Sequence, residues 1–208
     1  MEGHGGYFKS YWDPRIEASK VCGKERNSLM KAGAPPKFLR RFFSGLAEQT
    51  FVTRLGLADP SLIDYLAELL TRFTRTEMIY RVRNVRGRPL MEVAEMMIEA
   101  QQRIGDARRE VHRHVGDVTL FYSGVYPEAL PQLQRPSQKD HLLDLCATGK
   151  QAYRIASQMR TDENADECDV LQRLSEEFDV CASGLREVRR QWEKQAPAGE
   201  GLSGLLLN

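Results

Sequence analysis

Between residues 171 and 192, Leu171, Leu174, Phe178, Cys181, Leu185, Val188 and Trp192 recur at alternating steps of three and four. That period fits one face of an α-helix and no face of a β-strand, whose side chains repeat every two residues. Upstream, Leu142, Leu145, Gly149, Ala152, Ala156 and Met159 keep the same alternation, and only the acidic stretch Thr161 to Asp166 connects the two runs. Two seams joined by so short a link predict an antiparallel helical hairpin with a heptad seam, in which Gly149, Ala152 and Ala156 admit close backbone approach.

The same period extends through most of the chain. Leu39, Phe42, Phe43, Leu46 and Phe51 share a face between Lys37 and about Leu55. Asp59 followed by Pro60 reads as an N-cap and a proline at the first helical position, opening a second helix with Leu62, Ile63, Leu66, Leu69, Leu70 and Phe73 inward. Tyr80 to Arg83 alternates like a short strand. A third helix is expected from Pro89 to about Ile104, with Gly105 as its stop, and a fourth from Asp106 to about Ser123, ended by Gly124 and Pro127. Ser137 with Asp140 three residues on resembles a capping box opening the fifth. The expectation is an all-α bundle of about six helices, with no sheet beyond a short pair near residues 79–86.

Residues 1–36 are rich in glycine, lysine and isolated aromatics without a period and read as a partly ordered arm; 37–195 read as one helical domain and 196–208 as a flexible tail. A chain of 208 residues with 41% apolar content can bury one sizeable core. No basic-then-apolar start and no run of roughly 18 apolar residues is present, so neither a signal peptide nor a membrane span is expected. Cys22, Cys146, Cys168 and Cys181 show no CxxC spacing, and the last three sit where a small apolar side chain suits a helix. The expected location is cytoplasmic.

A net charge of +1 argues against a globally basic nucleic-acid binder. Several enzyme signatures are missing too. Thr148-Gly149-Lys150 resembles the end of a phosphate-binding loop, but Asp144 and Gln151 stand where glycine and Ser or Thr belong. GxGxxG, HExxH and GxSxG do not occur.

Two constellations carry chemistry. In the fourth helix Glu110, His114 and Asp117 fall at i, i+4 and i+7 on one face, the donor types a transition-metal site in a bundle uses, and Glu92, Glu95 or Glu99 of the third helix could complete a shell. The ExxH pair of di-iron bundles is absent, and a histidine bonded to carboxylates at the core edge is the plainer reading. The second constellation is Arg72, Arg75, Arg81, Arg83, Arg86 and Arg88, six arginines in 17 residues with Glu77 as the single acid. Guanidinium groups grip phosphates and carboxylates in bidentate fashion, so this run suits an anion or a partner surface. Residues 137–183 hold ten acids against five bases and offer a counter-surface within the molecule or across a dimer. No aromatic residues alternate with the arginines to stack on bases, which disfavours nucleic acid.

The stretch from Gly116 to Glu128, with Arg54 to Pro60 upstream, resembles segments of uncharacterised bacterial helical proteins. That resemblance implies a helical fold and brings no functional residue with it. The sequence thus offers surfaces more readily than chemistry: a protein-interaction or scaffold module that binds a protein partner or itself, with a metal-binding bundle or metal-dependent enzyme, and an anion or nucleic-acid binder, as alternatives.

Overall fold

The computed structural model describes residues 37–130 and 144–195. The expected arm, the tail and the Ser137/Asp140 helix start lie outside them. Eight α-helices are described: α1 (Lys37–Glu48), α2 (Pro60–Phe73), α3 (Thr76–Ile79), α4 (Val93–Gln102), α5 (Gly105–Gly124), α6 (Leu145–Gln158), α7 (Ala165–Glu176) and α8 (Phe178–Gln195). Among the described residues there is no strand, only one antiparallel bridge between Arg83 and Pro89. The fold is an all-α bundle. No helix among the described residues is long and apolar enough to cross a membrane.

Several boundaries follow the sequence. Asp59 caps α2, its Oδ1 accepting from the Leu62 N–H at 3.2 Å, and Pro60 takes the first helical position. α1 continues as one π-helical turn, Gln49–Arg54, which buries Thr50 and Phe51. Gly105 stands at the break between α4 and α5 with φ +55, a left-handed conformation that costs glycine little.

Others differ. The third helix begins at Val93 rather than Pro89, because Pro89 is held in the bridge and the Leu90 N–H is committed to the Val82 carbonyl at 2.8 Å. The seam expected as one long sixth helix is two helices, broken at Glu177 (φ −98, ψ 21). Leu171 and Leu174 lie in α7, which packs on α6 and α2, whereas α8 turns to α1, the π-helical turn and α5. There the Trp192 ring stands 5.1 Å from that of Phe43 and Gly184 lies against Phe51. The small-residue stripe of α6 also serves a different neighbour: a Cβ at Gly149 would sit 2.3 Å from Thr119 Oγ1 of α5 and 2.6 Å from the Phe178 ring.

The central element is α5, with fourteen of its twenty residues buried. It packs against α2, α4, α6 and α8. Tyr153 of α6 crosses it at Gly116, where a Cβ would lie 2.6 Å from the ring. Its C-terminal carbonyls are satisfied by α8: Arg186 donates to Ser123 O at 3.0 Å and Arg189 to Val125 O at 2.6 Å. Cationic donors at this end also complement the helix dipole.

Candidate functional site

A helix buried on nearly all sides must dispose of its polar residues internally, and α5 carries Arg109, His114 and Asp117 in the core with Glu110 and Arg113 at its edge. Asp117 is fully buried. Its Oδ1 accepts from Tyr65 of α2 at 2.7 Å and from Tyr153 of α6 at 2.9 Å, and its Oδ2 accepts from Arg72 of α2 at 3.1 Å. Burial pushes this carboxyl toward protonation, but Arg72, Arg113 and the Tyr65 hydrogen bond outweigh it and hold the pKa below its ordinary value. Burial and the same carboxylate raise both tyrosines well above theirs, so they stay neutral donors.

His114 is also fully buried, one turn before Asp117. Arg81 donates its Nε–H to His114 Nδ1 at 3.1 Å, and His114 Nε2 lies 2.8 Å from the Ile79 carbonyl. Arginine can only donate, so Nδ1 is the acceptor and Nε2 carries the hydrogen that Ile79 O accepts. Burial, followed by the positive charge of Arg81, pushes the histidine down to about 4.

Glu110 accepts from Arg81 at 3.3 Å and from Arg113 at 2.8 Å, with Arg109 at 3.5 Å. Glu167 of α7 takes Arg113 at 2.8 Å and also Arg109. The face Glu110, His114, Asp117 is therefore brought together, but through arginines. Neither His114 nitrogen keeps a lone pair free, both Asp117 oxygens are occupied, and among the described residues no group of three His, Cys, Asp or Glu side chains is placed to hold a metal. Glu99 is turned to Arg103 at 3.0 Å.

The arginine run divides. Arg72 and Arg81 point inward and join Arg109 and Arg113. Arg75 pairs with Glu77 at 2.8 Å. Arg83, Arg86 and Arg88 stay exposed on a tight turn between the buried anchors Val82 and Leu90. Asn84 Oδ1 accepts the N–H groups of Arg86 and Arg88, each at 3.0 Å, and Gly87 at φ +76 closes the turn. Arg103, at the end of α4, braces it by donating to the Arg83 carbonyl at 2.7 Å. The tip residue Val85 is 87% exposed. The acids of residues 137–183 that form ion pairs among the described residues are matched elsewhere: Glu167 as above, Asp169 with Arg160, and Asp179 with Lys150.

Tyr65, Tyr153, Arg109 and Arg113 were not marked by the sequence pattern, and Glu167 was marked only as one of the ten acids of residues 137–183. The density of charge in Arg108 to His114 was a signal for the α5 members, but nothing local to Glu167 or Tyr153 indicates a partner on α5. No protein-family profile, no curated protein and no solved structure matches this chain, so the geometry alone carries the functional argument.

Proposed function

We propose that this chain is a protein-interaction module whose docking surface is the turn between Val82 and Leu90. The observation that carries the reading is the rigid display of Arg83, Arg86 and Arg88 around an exposed Val85, with no acidic side chain of the described residues paired to Arg86 or Arg88. The turn's backbone is pinned by hydrogen bonds through Asn84 and from Arg103, so binding has only the arginine side chains left to order. The matching partner is an acidic protein segment with an apolar residue to cover Val85. A second copy of the chain offers such acids at Asp162 and Glu163, in the connection before α7, and at Asp166 in its first turn, all exposed.

The test is fluorescence anisotropy with a glutamate-rich peptide containing leucine, and in parallel with a generic oligonucleotide, across a salt series. Wild-type protein should bind the peptide with an affinity that falls as salt rises. Arg86→Glu with Arg88→Glu should weaken it at least about tenfold, or about 1.4 kcal/mol, and Val85→Ser by a smaller factor. Tight, salt-sensitive binding of the oligonucleotide alone would transfer the turn to nucleic acid, and binding of neither ligand would refute the reading. Sedimentation at low and high salt separates a foreign partner from self-association.

A further inference from the structure

We propose that the inner arginines form a receptor for a compact tetrahedral oxyanion, either free phosphate or the phosphoryl group of a phosphomonoester. This site is distinct from the docking turn and does not depend on it.

The first support is charge. Arg72, Arg81, Arg109 and Arg113 converge on Asp117, Glu110 and Glu167, four guanidinium groups on three carboxylates, while His114 contributes no positive charge because it accepts from Arg81. One positive charge is unmatched. Its effect is felt by the neighbours: burial and then Arg113 push Arg81 below its ordinary pKa, and Arg81 acts with burial to keep His114 neutral.

The second support is the count of acceptors. Each guanidinium has five N–H donors, yet the buried Nε of Arg72, Arg109 and Arg113 finds no acceptor. Buried polar groups are nearly always satisfied, so three such donors in one cluster mark a shortage of oxygen atoms there. These Nε atoms are sealed from solvent and do not themselves reach a ligand. The terminal nitrogens are the ones to consider, since the side chains of Arg72, Arg81 and Arg113 remain 15%, 30% and 16% exposed. Arg72 donates to Asp117 through Nη1 and Arg81 to Glu110 through Nη2, which leaves Arg72 Nη2 and Arg81 Nη1 without a carboxylate among the described residues. Both terminal nitrogens of Arg113 are shared with Glu167 and Glu110.

The third support is direction. The three partly open arginines come from separate segments: α2, the chain following α3, and α5. A carboxylate offers only two oxygens in one plane, and those of Glu110 and Glu167 are already shared among several guanidinium groups. Groups approaching from three segments suit the oxygens of a phosphate.

The experiment is thermal unfolding at pH 7.5 with inorganic phosphate against chloride at matched ionic strength, together with the NMR resonances of the His114 ring. Phosphate at ten times its Kd should raise Tm by about 3–6 °C, saturably, and shift the His114 ring. Arg81→Gln should weaken phosphate binding at least about tenfold, and Arg88→Gln, on the outer turn, should leave it unchanged. Tighter binding of phosphoserine than of phosphate would identify a monoester ligand, and equal binding the free ion. A response no greater than with chloride, one retained in Arg81→Gln, or one lost in Arg88→Gln would overturn the proposal. Should Arg81→Gln fail to fold, a saturable His114 shift in the wild type decides the matter, and its absence refutes the site.

Discussion

Arg81 Nε donates to His114 Nδ1 across 3.1 Å, and this bond joins the buried polar cluster of α5 to the segment that leads into the exposed turn. His114 belongs to α5 and the buried lattice; Arg81 begins the segment that presents the exposed turn. The second ring nitrogen is spent on the Ile79 carbonyl, at the end of α3. One neutral imidazole thus fixes where the turn leaves the core, and it does so only while Nδ1 keeps its lone pair.

Stability should therefore fall in mild acid. The groups facing His114 are Arg81, Arg72, Asp117, the Ile79 carbonyl and the Phe73 ring, 6.0 Å from it. Its pKa is pushed from 6.5 to about 4 on folding. Because the folded value is the lower one, the unfolded chain takes up the proton first; the contribution is complete above pH 6.5 and is lost as pH falls toward 4. Between pH 7.5 and 5 the loss from this one group should be about 2 kcal/mol. His112, also buried and shifted down by burial and Arg108, adds with the same sign. Urea denaturation at the two pH values checks this, and in His114→Gln the dependence should shrink to the His112 share.

Asp117 should be the least replaceable polar residue. Asp117→Ala leaves the largely enclosed Arg72 without its counter-ion and two tyrosine hydroxyls without an acceptor, which should cost about 3–5 kcal/mol. Tyr153→Phe removes one of three donors and should cost about 1.5–3 kcal/mol. Equal costs in denaturant melts would mean that the lattice is not centred on Asp117.

Two helical glycines should respond oppositely to alanine. A Cβ at Gly149 would meet Thr119 Oγ1 at 2.3 Å, and that hydroxyl is held by bonds to Val115 O and Gly116 O, so it cannot swing aside cheaply. Gly149→Ala should destabilise by about 1–3 kcal/mol. At Gly45 in α1 nothing lies within 4 Å of the added atom, and Gly45→Ala should stabilise by up to about 1 kcal/mol through helix propensity. Melting temperatures that move in the same direction for both would contradict this placement.

Helix faces were legible because burial imposes a period of 3.6 on apolar residues, and α1, α2 and α5 were readable in outline for that reason. The break at Glu177 was not, since the spacing from Leu174 to Phe178 continues unbroken and no proline or glycine marks the turn; only the positions of Gly149 and Phe51 in three dimensions show why α8 must leave the line of α7. The shared face of Glu110, His114 and Asp117 was visible in the spacing. Its chemistry was not, because the arginines that occupy it come from positions 72 and 81, and Arg113 stands beside it with a partner at Glu167. Long-range pairing of opposite charges leaves no periodic trace in a sequence. The arginine run, evident as composition, divides into inner and outer members only once the chain bends back at the bridge between Arg83 and Pro89.

Glu110 tests the balance between stability and anion affinity in a single substitution. It contacts Arg81, Arg113 and Arg109, and its side chain is 41% exposed, so water can solvate what its removal leaves behind. Glu110→Gln should therefore cost only about 1 kcal/mol, in the range of partly exposed ion pairs. The same change raises the net charge of the inner cluster by one and frees terminal nitrogens of Arg81 and Arg113 from a competing carboxylate. A unit charge a few ångströms from the ligand, at the effective dielectric of a partly open site, should then tighten phosphate binding by about tenfold, or about 1.4 kcal/mol. The variant is expected to melt below the wild type without phosphate and to close or reverse that gap at saturating phosphate. A variant that loses stability and gains no affinity would show that Glu110 and an anion do not compete for the same guanidinium groups.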